Sequence, residues 1–232
     1  MPLKALFLLI KQFFSRAYAF FHFIYNTLWG CIKLWQLPYP RVTIFGGSRV
    51  LLESKHAREA HRLAELLVNN KIAILTGGGS GIMQAGTLGA THTGASMSLG
   101  VGARSISELC GNKLCAINYV EMDYLFSRKW ILINQSQAFV AFPGGFGTIN
   151  EIAEVLTYIQ KGVFKKTPLI LIGVMYWQPF IEWLEKSAIP SGLVDQNSKE
   201  LIVLTDNIEE AATILIDYCS LIKAEHNRKD QL

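Results

Sequence analysis

Ile72-Ala-Ile-Leu-Thr-Gly-Gly-Gly-Ser-Gly-Ile-Met83 decides the fold. An apolar run of strand length feeds a glycine turn that opens a helix, the joint from which α/β proteins are built. Glycines at such a joint permit positive φ and let backbone N–H groups come close to an anion, and the helix N-terminus adds its partial positive charge. Ile82 stands where a GxGxxG dinucleotide fingerprint beginning at Gly77 needs its last glycine, and no Lys-Ser/Thr pair follows to make a Walker loop. The plain alternative is a tight turn with close helix–strand packing.

Ala141-Phe-Pro-Gly-Gly-Phe-Gly-Thr148 repeats the device. Strands of a parallel sheet end on one common edge, so both loops are expected to open into one crevice at a switch in strand order. Thr148 is expected at the helix N-cap, its hydroxyl turned to a backbone N–H or a phosphate oxygen. Glu151, three residues on, has two readings: the far half of a Thr-x-x-Glu capping box, or a carboxylate facing sugar hydroxyls or a developing cation.

Around these loops the text alternates. Strands are predicted at Val42–Phe45, Ile72–Leu75, Ser96–Val101, Ala116–Val120, Ala138–Phe142, Pro168–Ile172 and Leu201–Leu204. Helices are predicted at Ser54–Asn69, from Gly81 through about His92, and at Asp123–Gln135, Ile149–Gln160, Tyr176–Lys186 and Ile208–Leu221. Short apolar strands between amphipathic helices predict an α/β, doubly wound, mostly parallel sheet with helices on both faces. The polar tail 223–232 is expected to be disordered.

The 232 residues suffice for one such core, which is assigned to 38–222. Lys4, Lys11, Arg16 and Lys33 are the charges of residues 1–40, which contain no Asp or Glu and so carry the whole net charge of +4. Residues 41–232 therefore balance to zero, which argues against a nucleic-acid partner. Cys31, Cys110, Cys115 and Cys219, with five scattered histidines, show no metal-ligand spacing, and no metal is expected. A reduced, cytoplasmic compartment follows.

Residues 1–37 form an extension predicted to be helical from Leu3 to Trp35. Lys4, Lys11, Ser15, His22, Asn26 and Lys33 fall on one narrow polar stripe of an otherwise apolar, aromatic-rich cylinder. The run without formal charge, Ala17–Ile32, is short of the ~20 residues of a spanning helix. Lys11 also cuts the apolar run below the ~7–15 residues of a signal peptide. Attachment to the inner face of a membrane, packing on the domain or on a second subunit, and a true span are the three open readings.

Pro143, Gly144, Gly145, Gly147, Thr148 and Glu151 compose PGGxGTxxE, the mark of the LONELY GUY (LOG) family, long mislabelled as lysine decarboxylases. Arg128-Lys129 matches that family's Arg-Lys pair, Gly77, Gly78, Gly79, Gly81 and Met83 match its GGGxGxM, and Gly47-Ser48 matches an opening Gly-Ser. The chain resembles this family, its bacterial subgroup in particular, across roughly residues 41–220. The resemblance implies a Rossmann-like homodimer that hydrolyses a nucleoside 5′-monophosphate to free base and ribose 5-phosphate without a cofactor. It implies Arg128 and Glu151 as the catalytic pair. It implies substrate and phosphate binding at Gly47, Ser48, Gly78, Gly79, Ser80, Gly81, Met83, Lys129, Gly144, Gly145, Gly147 and Thr148.

Phe126 stands where plant-type members carry His, and Ser80 and Gln84 stand where related bacterial sequences often have Pro and Glu. An AMP-like substrate is therefore expected ahead of a cytokinin riboside monophosphate. The alternative is a non-catalytic nucleotide or cofactor carrier, or a membrane-tethered sensor. A decarboxylase is not expected, because no lysine sits in a pyridoxal-phosphate motif.

Overall fold

The computed structural model describes residues 3–91, 97–104, 118–164 and 167–229. Cys110, Cys115, His92, Ser96 and the expected strand start at Ala116 lie outside them.

Seven strands form one sheet: β1 (Arg41–Phe45), β2 (Ala73–Thr76), β3 (Ser98–Ala103), β4 (Tyr119–Met122), β5 (Ala138–Ala141), β6 (Leu169–Ile172) and β7 (Ile202–Thr205). Every adjacent pair is parallel, so the mostly parallel sheet expected from sequence is wholly parallel. The order is β4-β3-β2-β1-β5-β6-β7. The chain winds outward from β1 to β4, returns to the other side of β1, and winds outward again. That makes β1, between β2 and β5, the point where strand order reverses and where such sheets bind ligands.

Alternation along the strands feeds two cores. Val42, Ile44, Ile74, Val140 and Ile170 pack beneath α2 (Lys55–Asn69), α3 (Ile82–Thr91) and α7 (Ile208–Lys229). Phe45, Leu75, Phe139 and Leu171 pack beneath α4 (Leu125–Asn134), α5 (Phe146–Gln160), α6 (Val174–Trp183) and the end of α1 (Leu3–Trp35). The period-2 switch is why most strand residues are apolar: both faces are covered. In α2, Ala57, Ala60, Leu63, Ala64, Leu67 and Val68 make a single buried stripe at helical spacing. Ser54 caps its start, accepting from the Ala57 N–H at 3.3 Å.

Three expectations are corrected. Thr148 is not an N-cap: Gly145 takes that place and α5 begins at Phe146, three residues earlier than predicted. The helix predicted to end at Lys186 leaves α geometry at Trp183 and passes into a wider turn over Leu184–Ala188. The tail is not irregular from residue 223, since α7 continues to Lys229.

α1 has the predicted bounds, and its polar stripe has a partner within the chain. Asn26 donates to the Glu121 carbonyl and accepts from the Asp123 N–H, both at 3.1 Å. His22 Nδ1 lies 2.6 Å from Asp123 Oδ2, and Arg104 meets the same carboxylate at 2.9 Å. Leu34 is buried in the core, and Gly30 lies against the Met122 and Ile131 side chains.

Candidate functional site

The C-terminal end of β1 is wedged between the two glycine loops. Beyond Phe45, the Gly47 N–H donates to the Pro143 carbonyl at 3.0 Å, and the Gly47 carbonyl accepts from the Ile82 N–H at 3.2 Å. Ser80 Oγ donates to the Ser48 carbonyl at 2.7 Å. Both loops thus rise from neighbours of β1 on one edge of the sheet and touch the same short segment, as the paired-loop reading requires. Gly81 has φ +64, and a Cβ there would strike the Gly47 carbonyl, so this position needs glycine twice over.

Arg128 and Glu151 come to this edge from α4 and α5. Both are 7% exposed. Arg128 Nη1 donates to Glu151 Oε1 at 3.0 Å, and Nε donates to the Val101 carbonyl at 2.9 Å. The remaining nitrogen lies against Gly77, in the space a Cβ would fill, with Met83 Sδ beside it. A guanidinium is a planar fork, and here its prongs join β3, the first glycine loop and Glu151. Burial raises the Glu151 carboxyl above the ordinary value of 4.5, while the Arg128 charge and hydrogen bond pull it part of the way back. The carboxylate is therefore engaged by Arg128 and not by a capping box.

The rest of the predicted set divides. Gly47, Ser48, Gly78, Gly79, Ser80, Gly81 and Met83 lie along the β1 and β2 side, and Gly144, Gly145, Gly147 and Thr148 along the β5 side. Thr148 is buried, with its Oγ1 against Gly144, so the hydroxyl braces the loop from within. Gly145 and Gly147 are exposed with no atom within 4 Å of where a Cβ would stand, which leaves the first turn of α5 open. Its leading N–H groups have no partner inside the helix. Lys129 is turned away, into the seam between α4 and α5, where it bonds Glu154 at 2.6 Å and Asn150 at 3.0 Å.

Two residues escaped sequence reading. Tyr119 of β4 lays its ring against Gly78 and Gly102, over the first loop. Tyr176 of α6 donates from its hydroxyl to the Gly144 carbonyl at 2.5 Å. Neither stands in a motif. Strand order alone brings them to the crevice, and strand order is not written in spacing. Two surface depressions lie elsewhere, one beside Asp195–Leu201 and one between the start of α2 and Asp206–Glu209.

The sequence model of the family described as "Possible lysine decarboxylase" matches residues 64–215. Cytokinin riboside 5′-monophosphate phosphoribohydrolase LOG7 of Arabidopsis thaliana is 29% identical over 183 residues, covering 78% of this chain and 82% of that one. The probable cytokinin riboside 5′-monophosphate phosphoribohydrolase LOGL2 of Oryza sativa subsp. japonica is 30% identical over 186 residues, covering 79% and 75%. Among solved structures, the molybdenum cofactor carrier protein of Chlamydomonas reinhardtii superposes with a TM-score of 0.57 at 20% identity, over 79% of this chain and 99% of that one. The molybdenum cofactor binding protein of Rippkaea orientalis does so with 0.56 at 18%, over 78% and 97%. At that identity the likeness is one of fold, and the fold is Rossmann-like.

Proposed function

Since this chain belongs to the family described as possible lysine decarboxylases, we propose that it hydrolyses the N-glycosidic bond of a nucleoside 5′-monophosphate, with an AMP-like nucleotide as substrate. The products are free base and ribose 5-phosphate. The observation that carries the reading is the buried Arg128–Glu151 pair, set beside two glycine loops that open on one edge of the sheet.

Breaking the bond from C1′ to the base nitrogen leaves positive charge on the ribose ring, and a fixed carboxylate stabilises that charge more in the transition state than in the ground state. Arg128 holds Glu151 Oε1, and in this reading the other carboxylate oxygen serves the sugar or the attacking water. Water adds at C1′, the electron pair of the broken bond goes to the base, and the base takes up a proton. The 5′-phosphate is held by N–H groups of the first glycine loop and of the open first turn of α5, where the helix dipole favours an anion. Gly47 and Thr148 shape this cradle from behind. Lys129 offers no amine to the crevice for decarboxylation chemistry, because it is turned into the α4–α5 seam toward Glu154 and Asn150.

The working unit in this reading is a cytoplasmic homodimer. The test is incubation with a panel of nucleoside monophosphates, followed by chromatography for free base and ribose 5-phosphate. Release of adenine from AMP, lost in Glu151→Gln, is the expected result. Nucleotide that binds and is recovered intact after prolonged incubation overturns the enzyme reading in favour of a carrier.

A further inference from the structure

α1 packs in the opposite sense to the expectation for an amphipathic surface helix: its polar side is inward and its aromatic side is outward. His22 and Asn26 meet the domain, whereas Phe14, Phe21, Leu28 and Trp35 are 66%, 68%, 57% and 77% exposed. These four are spaced by seven and make one continuous stripe on the side of the cylinder away from Asn26 and Gly30. Lys11 borders the aromatic side on one flank, roughly 60–80° round the helix from Phe14 and Phe21. Arg16 borders the other, roughly 40–60° from Phe20 and Phe13. Among the described residues no helix is long and apolar enough to cross a membrane.

The direction of α1 is set by its contacts. Phe23 packs on Tyr124 and Phe126 at the start of α4, Gly30 on Ile131 further along, and Arg41 donates to the Leu37 carbonyl at the start of β1. The helix therefore descends from the edge where the strands end to the edge where they begin. Leu3–Phe21, about 28 Å at 1.5 Å per residue, extends beyond the edge on which the crevice opens.

We propose that this projecting segment docks on an anionic lipid surface, lying in the interface with Phe14 and Phe21 buried among the acyl chains and Lys11 and Arg16 reaching the headgroups. Charge selects this occupant over a second copy of the chain. Residues 1–40 hold four basic residues and no acidic one, so two such helices repel each other where phospholipid headgroups attract. The aromatic make-up of the face, with long basic side chains on its flanks, suits a headgroup boundary.

The experiment is flotation of the full-length protein with vesicles of pure phosphatidylcholine and of phosphatidylcholine mixed with phosphatidylglycerol, in low and high salt. Recovery with the mixed vesicles at least about tenfold above that with the neutral ones, weakened by salt, is expected. Lys11→Gln and Arg16→Gln each lower it about fivefold, and Phe14→Asp with Phe21→Asp abolishes it. A blue shift of tryptophan emission on adding mixed vesicles to the unaltered protein, from Trp29 and Trp35 at the interface, is an independent readout. Equal recovery with both vesicle types, none with either, or undiminished recovery of the double aspartate variant overturns the proposal. So does a wild-type oligomer that dissociates on Phe14→Asp with Phe21→Asp while vesicles recover nothing. AMP hydrolysis by the same preparations without vesicles keeps the fate of this proposal separate from that of the catalytic one.

Discussion

Arg128 and Glu151 are bound to each other at 3.0 Å with 7% of each residue exposed, and Arg128 continues past Glu151 to β3 and Gly77. A pair this buried contributes little net stability, yet removal of one member leaves the other charge stranded.

Arg128→Met is therefore expected to lower unfolding stability by about 3–5 kcal/mol. The double variant Arg128→Met with Glu151→Leu should recover most of that loss while remaining inactive. Urea melts of the two variants, run beside AMP turnover, separate a structural pair from a catalytic one. A double variant that hydrolyses AMP would remove both residues from the chemistry.

Glu151 also makes stability depend on pH. Its carboxyl is raised by burial, so the folded chain holds this proton more tightly than the unfolded chain does. Stability from this group is fully present below the ordinary value of 4.5 and is lost as pH rises through the folded value. The urea midpoint of wild type relative to Glu151→Gln should accordingly fall between acid and neutral pH. Turnover runs the other way, rising over the same window as the carboxylate forms. A midpoint difference that is flat across the window would contradict the raised carboxyl.

The glycines of the two loops should respond differently to alanine. At Gly77 a Cβ meets the Arg128 guanidinium and, at 2.6 Å, Met83 Sδ. Gly77→Ala should displace Arg128 and cost about 100-fold in kcat. Gly145 has extended φ of −88° and open space around it. Gly145→Ala should leave the melting midpoint within about 0.5 kcal/mol of wild type while raising KM for AMP about tenfold as the methyl obstructs the phosphate. An unchanged KM would mean that the ligand does not approach this turn.

The fold was legible because local chemistry and global architecture agree. β5 and β6 are apolar on both faces, and only a sheet covered twice asks for that. The helical period of Ala57 through Val68 and the two glycine joints then leave few other ways to arrange the chain. The backbone of the candidate site was legible where geometry dictates residue type, as at Gly81. It was illegible where tertiary placement decides: Lys129 and Arg128 are neighbours in sequence, yet successive helical residues point about 100° apart, so one reaches the crevice and the other the α4–α5 seam. Glu151 satisfied a capping-box spacing that the actual start of α5, at Phe146, makes irrelevant.

Asn26 tests the seating of α1. Its amide binds the backbone on both sides of Met122, and Asn26→Ala should cost about 1 kcal/mol. The sharper readout is limited trypsin digestion, in which cleavage at Lys33 should accelerate while the domain from Arg41 onward stays intact. An unaltered digestion rate would show that Leu34 and Gly30 hold the helix unaided.

The Gly47 peptide is secured in two directions, by its N–H to Pro143 and by its carbonyl to Ile82. Such a rivet at the middle of the sheet makes the loops before α3 and α5 one stiff mechanical piece. They cannot spread apart like jaws to admit a nucleotide or release a base. The side chain left free to swing over the opening is one the rivet does not hold, Phe146, which is 93% exposed.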